Sequence, residues 1–160
     1  MTDPATAVTF GLAFLGYLGL CAAAVGQVLG RASRRLIMIT AAVVLGHVLL
    51  VWQVRYGWSV AAARAAGLAP VIVFHVALVL IVAAALAPGR WSKPLILLAF
   101  PVVTVGALGA VFGRQIVADY RWPVISVAGA TVVVIAIRVA VATAARRGRL
   151  TRQPWPPVPR

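Results

Sequence analysis

Five apolar runs, each long enough to cross a bilayer as a helix, constrain the fold of this chain more than any other feature. They cover about residues 8–29, 36–54, 68–87, 94–112 and 123–144. A membrane-spanning helix needs about 20 predominantly apolar residues, and the runs lack the alternation that strands show. Of the 160 residues, 63% are hydrophobic, which is more apolar side chain than a soluble domain of this size can bury in its core. The sequence therefore predicts an all-α polytopic integral membrane protein, with five transmembrane helices in a bundle.

The basic residues between the runs predict how the helices are oriented. Cytoplasmic loops are enriched in Lys and Arg. The first loop, the third loop and the tail at 145–160 lie on one side of the membrane, and the second and fourth loops lie on the other. The first side holds Arg31, Arg34, Arg35, Arg90, Lys93, Arg146, Arg147, Arg149, Arg152 and Arg160; the other holds Arg55, Arg64, Arg114 and Arg121. We therefore expect the N-terminus outside and the C-terminus in the cytoplasm.

Three further features of the basic residues and the tail add to this expectation. The tail at 145–160 is rich in Pro and Arg and cannot bury a core, so we expect it to be extended. Arg138 lies inside the fifth run near its end, where its side chain can reach the membrane surface. The single lysine among fifteen basic residues is typical of a high-GC bacterial genome. The predicted location is therefore the bacterial inner membrane.

The acidic residues exclude several kinds of chemistry. The chain has a formal charge of +13, and its only carboxylates, Asp3 and Asp119, lie outside the apolar runs. Carboxylate proton relays and paired-carboxylate hydrolysis are therefore unsupported. No Ser-His-Asp set, His-Glu-x-x-His motif or phosphate-binding glycine loop is present. A conventional hydrolase or nucleotide-driven pump is not expected, and the basic loops favour membrane lipids over nucleic acid as partners.

His47 and His75, the only histidines, form the candidate ligand site. On antiparallel helices joined by the loop 55–67, they are expected at roughly 12 and 10 Å below the same surface, at about 1.5 Å per residue. Imidazoles at one level of a helix bundle can ligate a b-type haem from both sides. This pattern predicts both histidines as axial metal ligands, with Arg55 and Arg64 positioned to pair with haem propionates. Interhelical hydrogen bonds, or another ligand such as a quinone or copper, are the open alternatives.

Glycines at four-residue spacing predict faces where another helix can approach closely. They lie at the end of the first run and in the fourth run: Gly26, Gly30, Gly109 and Gly113. These faces suggest that the chain is a non-catalytic accessory subunit that binds other membrane subunits or a second copy of itself. A small-solute or lipid carrier is a further alternative, because Pro101 inside the fourth run predicts a kink.

Local signals predict details of the helix ends and packing. Ser59 is a suitable cap for a short helix over 60–66 at the membrane surface. Pro94 suits the first turn of the fourth helix. Tyr17 and Gln27 are polar residues in the first run, and we expect each to find a partner or, for Gln27, to reach the interface.

The order of these features resembles a known family. The first run ends in a basic turn at 30–35, and the second run carries His47 followed by an aromatic and arginine exit, GHVLLVWQVRYGW. Together with the next two runs, the segment 10–112 resembles the N-terminal half of CcsA-type cytochrome c assembly membrane proteins. The resemblance implies haem held by helix histidines, in cytochrome assembly or electron transfer. His47 matches the position of such a histidine, and His75 matches it more loosely; the Trp-Trp-Asp segment of that family has no counterpart here.

Overall fold

The computed structural model describes residues 4–113 and 115–150, and it is built from helices joined by short turns. A π-helical turn at Trp52–Tyr56 extends the second helix, and a 3-10 helix at Gln115–Tyr120 precedes the last. The described residues contain no strand, so the predicted all-α class is confirmed. The α-helices, numbered in chain order, are α1 Pro4–Leu29, α2 Arg34–Val51, α3 Val60–Ala65, α4 Leu68–Leu86, α5 Gly89–Gly113 and α6 Arg121–Leu150.

Five segments of the described chain are long and apolar enough to cross a membrane. They agree in number with the five predicted runs, while α3 is too short to be one of them. The class predicted from composition, a polytopic helical membrane protein, is therefore supported by the fold. The five segments are Pro4–Leu29, Arg34–Tyr56, Leu68–Leu86, Gly89–Gly113 and Val117–Ala145.

Four of the long helices surround a common core. Helix α1 packs on α2 and α5, and α4 also packs on α2 and α5, so these four close a ring. Leu20 of α1, Ile81 of α4 and Ile96 of α5 are the largest side chains that are completely buried. Helix α6 packs outside the ring, against α1 and α5, and α3 lies against α4 and the π-helical turn.

Two glycines allow α1 and α2 to approach closely. A Cβ atom on Gly16 would lie 2.7 Å from Val44 Cγ2, and one on Gly19 would collide with the Thr40 hydroxyl. That hydroxyl donates a hydrogen bond to Leu36 O at 2.8 Å, which holds the threonine in place. The sequence alone does not single out this pair, although small residues at a helix contact are common in membrane proteins.

The ends of α5 and α6 differ from the sequence prediction. Helix α5 begins at Gly89, before Pro94, because the Pro88 carbonyl already accepts a hydrogen bond from Trp91 N at 2.8 Å. Pro94 therefore lies in the second turn rather than the first. Helix α6 continues through residues 145–150, where we expected an extended tail, because alanine and arginine are strong helix formers. The rest of the tail, 151–160, lies outside the described residues.

The short helix α3 begins as predicted. The Ser59 hydroxyl accepts a hydrogen bond from Ala62 N at 3.2 Å, which confirms the cap. Gly67, with φ of 113°, separates α3 from α4. An L-residue with a side chain rarely adopts this backbone conformation, so glycine is favoured where the chain turns into α4.

Candidate functional site: the two membrane histidines

His47 connects α2 to α1. Its Nδ1 atom lies 2.9 Å from the carbonyl oxygen of Thr9. A carbonyl can only accept, so Nδ1 carries the proton and donates it. Nε2 then holds the lone pair of the ring, and it has no hydrogen-bond partner among the described residues.

His75 connects α4 to the end of α2, and both of its ring nitrogens are engaged. Nδ1 donates to the carbonyl of Val71, one turn earlier on α4, at 2.7 Å. The indole Nε1 of Trp52 donates to His75 Nε2 at 3.1 Å. Polar groups in a membrane-spanning helix require partners, and this histidine obtains them from its own helix and from the π-helical turn that extends α2.

Aromatic side chains cluster around Trp52 and His75 at this end of the bundle. We call Trp52, Tyr56, Trp58 and His75 the aromatic cap. The Trp52 ring lies at its centre, with ring centroids 5.6 Å from Tyr56, 6.2 Å from Trp58 and 5.9 Å from His75. Edge-to-face and stacked pairs at such distances each stabilise a structure by roughly 1 kcal/mol. Trp52 is therefore the residue on which the cap depends most.

The backbone after α2 brings Trp58 over Trp52. Gly57 and Trp58 both adopt left-handed conformations, with φ of 50° and 61°. The Trp58 amide donates to Trp52 O at 3.1 Å, and its indole donates to Gln53 Oε1 at 2.6 Å. A tryptophan with positive φ is uncommon and costs conformational energy, so these contacts must offset that cost.

The structure places the two histidines on neighbouring helices but directs them to different partners. His47 bonds to α1, whereas His75 bonds to Trp52 in the π-helical turn, five residues beyond His47. Because the Nε2 lone pair of His75 accepts from Trp52, a haem iron bound there would have to replace that hydrogen bond. Only His47 Nε2 is free to act as an axial ligand in the described arrangement. The predicted two-histidine ligation therefore requires Trp52 to move.

The two arginines predicted to bind propionates lie near the aromatic cap. Arg55 is in the π-helical turn and Arg64 is in α3, and both are exposed. Neither guanidinium makes a hydrogen bond or ion pair with another described residue, so their role stays a prediction. No group of three His, Cys, Asp or Glu side chains forms a metal cluster within 4–113 and 115–150.

The predicted glycine faces divide into two kinds. A Cβ atom on Gly26 would lie 3.3 Å from the backbone of Ala32, and Gly30 has a positive φ of 68°. Both glycines therefore shape the turn between α1 and α2. A Cβ atom on Gly109 or Gly113 of α5 would meet nothing within 4 Å, so that face is open.

Helix α6 is attached to the bundle by its first half. Arg121 Nε donates to Val111 O at 2.8 Å, and the guanidinium lies 5.4 Å from the centre of the Phe112 ring. Val124, Ala128 and Thr131 are buried.

Residues 136–145 of α6 are exposed on every face, although they belong to the fifth membrane span. This exposed segment, which we call the free end of α6, is the second candidate site.

The sequence identifies both histidines but not what they contact. The position of Trp52 at the end of an apolar run is typical of a residue at the membrane surface, and nothing in the sequence indicates Thr9 as a histidine partner. Trp52 could have been suggested as a partner of His75 only because it follows the run that carries His47 and precedes the run that carries His75. Comparisons of the chain with protein-family models, curated proteins and solved structures find no match. The described part of the chain is therefore all-α, with five segments that can cross a membrane, and both of its histidines are hydrogen-bonded within the bundle.

Proposed function

We propose that this chain is a non-catalytic accessory subunit of a larger membrane complex. The free end of α6 carries the proposal: residues 136–145 lie within a membrane span and are exposed on every face of the helix. Membrane helices associate through close van der Waals packing and interhelical hydrogen bonds. Ten residues of this span do not pack against the rest of the chain, so their side chains can pack against a helix of another protein.

The neighbouring surface of α5 supports the same proposal. Leu98, Val105, Gly109 and Phe112 are exposed and recur every three to seven residues, so they lie along one face of the helix. Gly109 has open space around it, which lets a partner backbone approach closely. The open face of α5 and the free end of α6 belong to antiparallel helices that pack on each other, so a partner helix that crosses the whole membrane can contact both.

The histidine contacts also support a non-catalytic role. His47 links α2 to α1, and His75 links α4 to the π-helical turn that extends α2, so the two residues connect three membrane spans. Such bonds are typically worth about 0.6 kcal/mol each in a membrane bundle. The proposal includes the location favoured by the basic loops: a bacterial inner membrane, with the N-terminus outside and the C-terminus cytoplasmic.

Site-specific photo-crosslinking tests the accessory-subunit proposal. A photoreactive side chain is introduced at Ile137 in the free end of α6, which is 56% exposed. The matched control position is Val79 of α4, which is 64% exposed on a helix whose opposite face buries Ala77 and Ile81 in the bundle. We expect crosslinks to another membrane protein from position 137 in native membranes, and no comparable product from position 79.

Haem binding through His47 is the second candidate function. Metal-binding histidines usually donate their other ring N–H to a carbonyl or carboxylate, and His47 does so to Thr9. Its Nε2 lone pair is unengaged among the described residues, as an axial ligand requires. A haem-binding or haem-handling role in cytochrome assembly or electron transfer would use this atom.

An absorption spectrum tests the haem candidate. If haem binds through His47, protein purified after haem-replete expression shows a Soret band that His47→Ala abolishes. His75→Phe, which removes a ligand but keeps an aromatic ring beside Trp52, then separates one-histidine from two-histidine binding. Wild-type protein without a Soret band would remove this candidate.

A further inference from the structure

A cavity lies at the end of the bundle opposite the aromatic cap. It has a volume of about 230 Å³ and opens where α1 and α4 end and α2 and α5 begin. Its walls include Ile37 and Ala84, which are buried, and its polar lining includes Gln27, Arg34 and Ser92. We call it the basic crevice.

The polar side chains of the basic crevice present hydrogen-bond donors. Ser92 is 6% exposed, and its oxygen accepts from Gln27 Nε2 at 3.3 Å. The Ser92 O–H and the second N–H of Gln27 have no acceptor among the described residues, so both can donate to a ligand. Arg34 adds a guanidinium with several N–H groups in one plane. This donor set suits a ligand with several anionic oxygens.

The charge around the crevice is positive and uncompensated. Its rim is formed by the two connections at this end of the bundle, 30–33 and 87–88, and by the first residues of α2 and α5. The exposed cations there are Arg31, Arg34, Arg35, Arg90 and Lys93. The only carboxylate in the described part of the chain, Asp119, lies in the 3-10 helix at the other end. A concave site with one sign of charge concentrates ions of opposite sign.

The position of the crevice favours a lipid over a dissolved ion. It opens at the ends of four membrane spans, which is the depth of lipid headgroups. Basic pockets between membrane helices bind anionic headgroups, and the apolar walls at Ile37 and Ala84 suit the glycerol and the first acyl carbons. A free phosphate would meet the same donors but could not use these walls.

We propose that the basic crevice binds the phosphodiester headgroup of an anionic lipid, with Arg34, Ser92 and Gln27 donating to its oxygens. This site does not depend on the accessory-subunit function proposed above. Arg34 supplies charge and directed hydrogen bonds, and the surrounding arginines and Lys93 supply a more diffuse attraction that salt screens.

Calorimetric titration of the full chain in neutral detergent tests the proposal. The probes are dihexanoyl phosphatidylglycerol, dihexanoyl phosphatidylcholine and inorganic phosphate. We expect the wild type to bind the anionic lipid in preference to the other two. Arg34→Gln is expected to weaken that binding about tenfold, which is the loss of one directed charged contact. Ser92→Ala should weaken it in the same direction without changing the net charge.

Arg35→Gln is the matched control, because it removes the same charge from the adjacent residue, which does not line the cavity. We expect it to weaken binding less than about twofold, as for an exposed charge. Equal losses in Arg34→Gln and Arg35→Gln would show diffuse surface attraction and overturn the site. Phosphate binding as tight as that of the anionic lipid would assign the crevice to a free anion, and equal binding of phosphatidylcholine or no binding would also overturn the proposal.

Discussion

Replacement of Gly19 by leucine is expected to lower the free energy of unfolding by about 3 kcal/mol. The added side chain would meet Thr40, which is buried and held by its hydrogen bond to Leu36 O at 2.8 Å. Thr40 is β-branched and cannot turn away cheaply, so α1 and α2 would have to separate. Titration of the purified protein with dodecyl sulfate in mixed micelles, followed by circular dichroism, measures the change.

Gly11→Leu is the control for this prediction. It makes the same substitution on the same helix, but a Cβ atom at Gly11 meets nothing within 4 Å. We expect its effect to stay within about 0.5 kcal/mol. Similar losses from both variants would mean that leucine disturbs α1 itself, and that the close contact between α1 and α2 is not the cause.

Trp52→Ala is expected to cost about 2 kcal/mol, because it removes the ring at the centre of the aromatic cap. Three ring contacts disappear, and His75 Nε2 loses its donor. Truncation of a fully buried aromatic ring costs about 3–5 kcal/mol, and Trp52 is only half-buried. The same dodecyl sulfate titration measures the loss.

Two further substitutions separate the causes of that loss. Trp52→Phe keeps a ring but removes the indole N–H, so it should cost about 1 kcal/mol for the unmet His75 acceptor. Trp122→Ala makes the same truncation at a tryptophan that is 77% exposed, and it should change stability by less than about 0.5 kcal/mol. An equal loss in Trp52→Ala and Trp122→Ala would contradict the central place of Trp52 in the cap.

The fold class could be predicted because five long apolar runs have few ways to satisfy their backbone hydrogen bonds in lipid. The cap at Ser59 could be predicted because it is a local contact: its hydroxyl accepts from the backbone N–H of Ala62, only three residues later in the sequence. The end of α6 was harder, because alanine and arginine in the segment 145–150 support a helix as readily as a basic tail. Here local helix propensity determined the outcome.

The candidate site was only half predictable. The hydropathy pattern predicts that His47 and His75 lie in membrane spans, but it does not give the rotation of each helix about its axis. That rotation decides whether His75 meets His47 or Trp52, and it depends on contacts such as Gly16 with Val44 across α1 and α2. The same limit explains why the glycine spacing at Gly26 suggested a partner helix, where the structure has a turn.

The polar pairs across the bundle illustrate this limit further. Tyr17 and Gln27 were expected to need partners, and the structure supplies Thr104 at 3.1 Å and Ser92 at 3.3 Å, both from α5. Thr104 donates its own proton to the carbonyl one turn earlier, so Tyr17 is the donor in the first pair. The need for a partner follows from the residue type, but its identity follows from which helices are neighbours.

We expect the free end of α6 to bind another membrane protein in native membranes. Mass spectrometry of the product crosslinked from Ile137 tests this directly, because it gives the mass of the product and the identity of its peptides. We expect an adduct heavier than the 16.7 kDa chain that contains peptides of a different membrane protein. Crosslinking to lipid alone from Ile137, with the same result from Val79, would contradict it.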